Sequence, residues 1–210
     1  QTEQIIGYVG GPGGTGKSQV IKAIVDFHET IKQTNTLKLC AHTGTAAKNI
    51  EGSTTHSLFQ FSGDTKEKNK AKNTAKLQRK LQNVQTIILD EVSMVGCYDL
   101  LKISRALIEG KCADSSLPFG GIDIIFFGDF IQFSPVQDPP LYSGWYDEEH
   151  KQKLNKKKSA QRIIDWNLGI NLWKQVNHVV FLDQQMRVQD QEYLKMLNRL
   201  REGTCTIDDI

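Results

Sequence analysis

A glycine-rich octapeptide near the start of the chain constrains the fold more than any other feature. Residues 11–18 read Gly-Pro-Gly-Gly-Thr-Gly-Lys-Ser and satisfy the pattern of a phosphate-binding loop, or P-loop. The apolar run before the loop is typical of a buried strand, and apolar residues recur at helical spacing from Val20 to Ile31 after it. A glycine turn followed by Lys-Ser by chance is the alternative, but the strand–loop–helix order favours the P-loop.

The P-loop predicts which residues bind a nucleotide. Backbone N–H groups of such a loop turn toward phosphate oxygens, and the N-terminus of the next helix adds a positive dipole end. We expect Lys17 to reach the β and γ phosphates and the Ser18 hydroxyl to bind Mg²⁺, with ATP or ADP as the nucleotide. The predicted nucleotide-binding residues are contiguous: Gly11, Pro12, Gly13, Gly14, Thr15, Gly16, Lys17, Ser18 and Gln19.

Two carboxylates follow a second apolar run. Residues 86–89 predict a strand that is buried on both faces, and Asp90 and Glu91 come directly after it. We expect Asp90 to hold Mg²⁺ and Glu91 to polarise the attacking water. An Asp-Glu pair after a strand is also common on protein surfaces. Together with the P-loop, however, the pair favours an NTPase that hydrolyses its nucleotide over a passive nucleotide binder.

A third apolar run, residues 122–127, predicts another strand and leads into a Gly-Asp-Phe-Ile-Gln segment. Asp129 would support the metal from outside its ligand shell, and Gln132 would contact the γ-phosphate and relay its presence. An ordinary Gly-Asp turn is the alternative here, because such turns often follow strands.

Alternating strands and helices predict an α/β fold, a RecA-like P-loop NTPase domain with a doubly wound, mostly parallel sheet and helices on both faces. Ligands of such sheets bind at the carboxyl ends of the strands, where the candidate residues above fall. The 210 residues suit one domain, 1–210, with surface insertions at 62–76 and 138–160. The predicted strands are 5–9, 36–41, 86–89, 122–127 and 178–182, and the predicted helices are 20–31, 43–51, 98–108 and 191–201.

Composition excludes several classes of protein. No apolar run reaches the roughly 18 residues that a membrane span needs, and no secretory leader is visible. The four cysteines are scattered without a Cys-x-x-Cys pair, which indicates reduced thiols and neither a disulfide framework nor a zinc site. Lysines and arginines cluster at 66–80 and 151–162. Either cluster would suit nucleic-acid phosphates, although a solvated surface is the more common meaning of such runs.

Five segments resemble, in order, the petite-integration-frequency (Pif) family of superfamily-one DNA helicases. They are Ala-His-Thr-Gly-Thr-Ala-Ala at 41–47, Gly-Ser-Thr-Thr-His-Ser-Leu-Phe at 52–59, Leu-Asp-Glu-Val-Ser-Met-Val at 89–95, Gly-Asp-Phe-Ile-Gln-Phe-Ser-Pro-Val at 128–136 and Gln-Met-Arg at 185–187. The P-loop variant is similar to that of the branch with fungal and rolling-circle-transposon helicases. The resemblance implies the first RecA-like lobe of a 5′-to-3′ DNA helicase, an intracellular protein of the nucleus or the mitochondrion.

The resemblance also implies residue roles that spacing does not supply. By it, Thr43, Gly44, Thr45, Thr55 and His56 grip the backbone of single-stranded DNA, and Arg187 points at the γ-phosphate as a catalytic cation beside Lys17, Glu91 and Gln132. From the residues alone, Thr43 would be a helix N-cap, His56 a partly buried histidine and Phe59 a core residue. Arg187 would form a surface ion pair with Asp183 or Asp190.

The chain departs from the family pattern at two points. Phe-Ser-Pro stands at 133–135 where the family usually has Leu-Pro-Pro, and the family's adenine-contacting glutamine has no counterpart, with Gln4 predicted to be a strand residue instead. The second RecA-like lobe, which supplies a further arginine and half of the DNA track, is not within these residues. A RecD-like or RNA helicase lobe and a non-motor nucleotide-binding module remain alternatives. Oligomeric state is not predicted.

Overall fold

The computed structural model describes residues 3–61, 67–145 and 159–209. Its strands are β1 (Ile6–Gly10), β2 (Leu37–Ala41), β3 (Ser53–Thr54), β4 (Thr86–Asp90), β5 (Asp123–Gly128) and β6 (His178–Phe181). Its helices are α1 (Lys17–Thr30), α2 (Gly44–Asn49), α3 (Thr55–Phe59), α4 (Glu67–Leu81), α5 (Cys97–Lys111), α6 (Ala160–Trp173) and α7 (Gln191–Glu202). Short 3₁₀ turns occupy Thr34–Thr36, Val92–Met94, Pro118–Gly121, Leu141–Trp145 and Ile207–Asp209.

The described strands form one sheet of six in the order β3-β2-β4-β5-β1-β6, and every pairing in it is parallel. Because the strands are parallel, their carboxyl ends meet at one edge of the sheet. Gly10 of β1 lies opposite Gly128 of β5 and Phe181 of β6, and Ala41 of β2 lies opposite Asp90 of β4. The P-loop, the paired carboxylates and the segment after β5 therefore share this edge, as a RecA-like fold predicts.

Helices cover both faces of the sheet, which confirms the predicted doubly wound α/β class. Alternate residues of β4 point to opposite faces, so Ile87 and Leu89 join one apolar core and Ile88 joins the other. The first core includes buried residues of α5 and Trp166 of α6, and the second includes Ile21 of α1. The near-continuous apolar runs in β4 and β5 follow from this double burial.

Helix α4 occupies most of the predicted surface insertion at 62–76, and the described side chains at 71–76 are exposed or half-buried. Just beyond the insertion, Leu77 and Leu81 are buried and pack beside Gly110 of α5. A helix there was not predicted because only two large apolar residues, four positions apart, stand at the end of a lysine-rich stretch. Residues 62–66 of the predicted insertion, and with them Lys66, lie outside the described residues.

Helix α6 was not predicted either. Its apolar residues lie on several sides of the helix, so they show no clear helical period, yet Trp166 and Gly169 are buried. Gly169 lies against the backbone of Cys97, so a side chain larger than hydrogen would collide with α5. Residues 146–158, which include most of the second basic cluster, lie outside the described residues. Among the described helices, none has the length and apolar character that a membrane span requires.

Candidate active site

The P-loop curls between the end of β1 and the start of α1. The Lys17 ammonium donates hydrogen bonds to the carbonyl oxygens of Gly11, at 2.7 Å, and Pro12, at 3.0 Å. The Thr15 hydroxyl donates to the Pro12 carbonyl at 2.9 Å. These bonds fold the lysine over the loop, so its positive charge stays within the ring of backbone groups that a phosphate would enter.

The N-terminus of α1 carries no competing negative charge. Its N-cap is Gly16, which offers no side chain to the first-turn N–H groups, and no acidic residue stands in that turn. The φ of Gly16 is 94°, a backbone conformation that favours glycine. The positive end of the helix dipole is thus left for an anion, and it faces the strand-end edge of the sheet.

Asp90 and Glu91 lie where the carboxylates were predicted. Asp90 is the last residue of β4, and one of its carboxylate oxygens accepts the Glu91 N–H at 2.9 Å. Glu91 adopts a φ of 55°, which is uncommon for a residue other than glycine. That turn sends the chain out of the sheet and leaves the Glu91 side chain half-buried beside Asp90.

Burial and mutual charge set the protonation of this group. Burial raises the pKa of Asp90, against the lowering effects of the Glu91 N–H and of Lys17. Burial and then the Asp90 charge raise the pKa of Glu91. Burial lowers the pKa of Lys17, while Asp129, Glu91 and Asp90 raise it. The lysine and three carboxylates thus interact electrostatically, as expected of a site that binds a polyphosphate and a cation together.

The structure gives Asp129 a partner that the sequence prediction did not. Its carboxylate is buried and accepts two hydrogen bonds from the Arg201 guanidinium, of 2.5 and 2.6 Å. The predicted role of Asp129, support of a metal from outside its ligand shell, stays a prediction. Gln132 is exposed on the same loop, and its N–H donates to the Asp129 carbonyl at 2.9 Å.

The segment with Arg187 packs directly on the P-loop. The Met186 N–H donates to the Gly14 carbonyl at 2.9 Å, and the Gln185 amide donates to the Gly13 carbonyl at 2.8 Å. The exposed Arg187 side chain starts beside Gly14. Asp190, one of the alternative ion-pair partners of Arg187, instead caps the N-terminus of α7.

The predicted DNA segment begins at Thr43, two residues after β2 ends at Ala41. Thr43 is the N-cap of α2, and its hydroxyl oxygen accepts the Ala46 N–H at 3.2 Å. Gly44 and Thr45 follow on the exposed first turn of α2. The N-cap role of Thr43, the alternative named from the residues alone, is present in the structure, and it leaves the hydroxyl hydrogen free to donate.

Thr55 requires a correction. Its side chain is only 2% exposed, so the predicted contact of this side chain with DNA does not fit the structure. The burial arises because α3 begins directly after the two-residue strand β3 and turns Thr55 inward. The exposed ring of His56 lies 5.7 Å from the ring of Phe61 and 6.3 Å from that of His42, measured between centroids. His56 is thus not the partly buried histidine of the alternative reading, and Phe59 is a core residue.

Sequence reasoning missed three residues that shape this edge: Arg201, Gln185 and His42. Arg201 lies 72 positions from Asp129, and a basic residue in the last turn of a helix is ordinary on its own. Gln185 and His42 stood inside the segments that carry the family resemblance, so their positions were marked without a role. Gln4, by contrast, precedes β1 and donates to the carbonyls of Pro118 and Ile122, near the start of β5 rather than the strand-end edge.

Comparison with known proteins yields one consistent family. A model of the PIF1-like helicase family matches residues 1–209. An ATP-dependent DNA helicase PIF1 of Saccharomyces cerevisiae is 31% identical over 204 residues, which cover 95% of this chain and 21% of that protein. A similar helicase of Emericella nidulans is 32% identical, with 92% of this chain and 24% of that protein covered.

Solved structures agree with the sequence matches. A crystal structure of the Pif1 helicase from Candida albicans superposes with a TM-score of 0.71 at 26% identity, covering 98% of this chain and 42% of that one. The Pif1 helicase from Bacteroides in complex with ADP-AlF3 and single-stranded DNA gives a TM-score of 0.70 at 26% identity, covering 100% and 45%. The chain thus spans less than half the length of these relatives.

Proposed function

The chain belongs to the PIF1-like helicase family, and we propose that it is the ATP-binding, ATP-hydrolysing motor lobe of a DNA helicase. This lobe would move 5′ to 3′ along single-stranded DNA together with a second RecA-like lobe outside these residues. The observation that carries the proposal is the shared strand-end edge of the sheet. Three groups meet there: the P-loop after β1, the 43–45 segment after β2, and Asp90 with Glu91 at the end of β4. An intracellular place of action, in the nucleus or a mitochondrion, is part of the proposal and rests on the family alone.

The donor set at the P-loop fits a magnesium nucleotide. Ser18 offers a hydroxyl at the start of α1 and Asp90 a buried carboxylate, and oxygen donors of these kinds are the ones that Mg²⁺ prefers. Mg²⁺, when bound, would neutralise charge that develops on the β and γ phosphates. The residues 11–19 would hold the phosphates through backbone N–H groups, and Lys17 would exchange its two loop carbonyls for phosphate oxygens.

Glu91 is the proposed base for the attacking water. Its raised pKa, caused first by burial, makes the carboxylate a better proton acceptor than an exposed glutamate. Gln132 on the loop after β5 and Arg187 on the segment that packs on the P-loop are the proposed γ-phosphate contacts. Both side chains are exposed on the strand-end side, so either can reach a nucleotide without moving a core residue.

The proposed DNA contacts are Thr43, Gly44, Thr45 and His56. Hydroxyl and N–H groups bind phosphates without reading base sequence, which is what a motor that steps along any strand requires. The expected affinity of the chain for single-stranded DNA is weak and falls with salt, with a log–log slope of about −0.7 per neutralised phosphate. An affinity that does not change with salt concentration, or that depends strongly on base sequence, would argue against this contact surface.

The first experiment tests the nucleotide site. Lys17→Ala should weaken Mg-ADP binding by at least about 2 kcal/mol, since the ammonium makes charge-assisted hydrogen bonds in a partly buried site. Calorimetry on the 210-residue chain gives the affinity. Lys22→Ala, an exposed lysine on the same helix, is the matched control and should bind ADP as the unmodified chain does. Equal affinity in all three proteins would remove the P-loop assignment.

The second experiment separates binding from turnover. Glu91→Gln should keep ATP affinity and lose roughly 10²-fold or more in turnover, because the amide cannot accept the proton. Single-turnover hydrolysis, measured with and without single-stranded DNA, supplies the comparison. Normal turnover in Glu91→Gln would place the base elsewhere, and binding without any turnover in the unmodified chain would indicate a non-motor module.

The third experiment tests the need for a second lobe. Arginines from a partner lobe can contribute roughly 10³–10⁵ in rate, and unwinding needs two lobes that grip the strand in turn. We expect the 210-residue chain to bind Mg-nucleotide, to hydrolyse ATP far more slowly than the longer enzyme and to leave tailed duplex DNA intact. Robust ATP-dependent strand separation by this chain alone, absent in Lys17→Ala, would overturn the single-lobe proposal.

A further inference from the structure

The ion pair of Arg201 with Asp129 joins two distant parts of the chain at the strand-end edge of the sheet. Asp129 follows β5 and is 3% exposed, and Arg201 stands in the last turn of α7. Each terminal nitrogen of the guanidinium donates to a different carboxylate oxygen, at 2.5 and 2.6 Å. This fork-to-fork geometry is the strongest form of a side-chain ion pair and fixes direction as well as distance.

Helix α7 has little else to hold it. None of its residues is buried, and Tyr193 and Leu200 on it are exposed. Among the described residues, its other ion pairs are local: Lys195 pairs with Glu192 inside the helix, and Arg199 pairs with Asp209 just beyond it. Arg201 is therefore the charged side chain of α7 that reaches the strand-end edge of the sheet.

Asp129 in turn shapes the loop that carries Gln132. One carboxylate oxygen of Asp129 accepts the Ile131 N–H at 3.1 Å, and the Asp129 carbonyl accepts the Gln132 N–H at 2.9 Å. The same carboxylate lies close enough to Lys17 to stabilise the charged ammonium. Without the guanidinium, the buried Asp129 carboxylate would lack its counter-charge, and the turn at 129–132 would lose its anchor.

We propose that Arg201 is a positioning residue for nucleotide hydrolysis, acting through its ion pair with Asp129. The pair holds the 129–132 turn in the geometry that Gln132 needs, and it ties α7 to that turn. A movement of the turn on nucleotide binding is thereby transmitted to α7, the last long helix of the chain. The inference rests on the proposed ATPase function and adds a residue and a mechanical connection to it.

The test uses the 210-residue chain and four variants: Arg201→Gln, Arg201→Lys, Asp129→Asn, and Arg199→Gln as the matched control from the same helix. Arg201→Gln should keep ADP affinity within about threefold and lower kcat about tenfold or more, since misplaced groups cost rate rather than ground-state binding. Arg201→Lys keeps the positive charge but not the forked guanidinium, so its kcat should lie between those of the unmodified chain and of Arg201→Gln. Arg199→Gln should match the unmodified chain.

Two further measurements distinguish positioning from general damage. The double variant Arg201→Gln with Asp129→Asn should be no slower than the worse single variant, because both remove the same interaction. Hydrogen exchange of α7 amides should change when nucleotide binds the unmodified chain, and this response should vanish in Arg201→Gln while β4 amides stay protected. The β4 amides also show whether each variant is folded.

The outcomes are separable from those of the proposed function. Additive losses in the double variant, equal kcat in Arg201→Gln and Arg199→Gln, or an α7 response to nucleotide that survives Arg201→Gln would each overturn the positioning role. Failure of the proposed function would instead appear in the unmodified chain, as absent nucleotide binding or absent turnover. Should Arg201→Gln lose β4 protection, the comparison of Arg201→Lys with Arg199→Gln decides the question on folded proteins.

Discussion

The centre of the sheet and its β6 edge have similar sequences and opposite environments. Ile88 of β4 is fully buried against the helices on one face of the sheet, whereas Val180 of β6 is 52% exposed and Phe181 is 71% exposed. Both strands are apolar runs that suit a parallel sheet. The difference lies in their neighbours: apolar cores lie against both faces of β4, while β6 is the edge strand paired with β1 and all four of its residues are exposed.

This contrast separates the strands that core packing holds in place from the elements that are attached at the strand-end edge. β4 and β5 keep Asp90 and Asp129 in place through packing. β6 and α7 are instead attached by backbone hydrogen bonds to β1, by the docking of 185–187 on the P-loop and by the Arg201 ion pair. The attached region can thus move relative to the core at a smaller energetic cost, because few buried contacts would be lost.

The largest expected effect tests the contrast directly. Ile88→Ala should lower the free energy of unfolding by about 2–5 kcal/mol, because it leaves a cavity between two packed layers. Val180→Ala is the matched substitution at the exposed edge and should change it by no more than about 0.5 kcal/mol. Urea unfolding of both variants, followed by circular dichroism, measures the two values. A Val180→Ala cost similar to that of Ile88→Ala would mean that β6 is as firmly packed as β4.

A smaller effect is expected where the attached region meets the P-loop. Gly14 has a φ of 88°, and a Cβ there would collide with the Gln185 side chain. Gly14→Ala should therefore destabilise the chain by about 1–3 kcal/mol and weaken ADP binding. Gly13→Ala meets no atom within 4 Å and is the matched control. Unfolding and calorimetry on both variants check this, and equal behaviour would show that 185–187 is not docked as described.

The smallest expected effect concerns pH. Burial would raise the pKa of Asp129, but the hydrogen bonds from Arg201 and Ile131 dominate together and hold the pKa below its usual 3.8. A lowered pKa in the folded chain means that the stabilisation is present above pH 3.8 and is lost only as the pH falls through the lower, folded value. The pKa of the neighbouring Tyr8 is raised to about 12 by burial first and then by Asp129, so it does not titrate near neutrality either.

The difference in unfolding free energy between the chain and Asp129→Asn should accordingly stay constant from about pH 5.5 to pH 8. Chemical unfolding at three pH values within that range measures it. A difference that shrinks between neutrality and pH 5.5, and does so equally in a Glu91→Gln background, would mean that Asp129 binds a proton in the folded chain and that the ion pair is weaker than its geometry indicates. The Glu91→Gln background is needed because the Asp129 charge also raises the pKa of Glu91.

The sequence was most informative where structure is local. The apolar run of β4 and the glycine pattern after β1 act over a few residues, so the parallel fold and the shared edge of Lys17, Asp90 and Glu91 could be predicted. The partner of Asp129 could not, because a contact across 72 positions depends on how α7 packs. The burial of Thr55 likewise depends on the two-residue strand β3, which is too short to leave a pattern.

The position of Ala41 in the sheet predicts which variants a genetic selection would recover. Ala41 of β2 lies opposite Asp90 on one side and Thr54 on the other, and its side chain is fully buried. The same residue thus adjoins the proposed hydrolytic carboxylate and the strand that leads to His56. A bulkier side chain at this position would disturb both neighbours together. Selections for slow ATP turnover and selections for poor DNA retention should therefore both recover substitutions of Ala41, although this residue contacts neither ligand in the proposal.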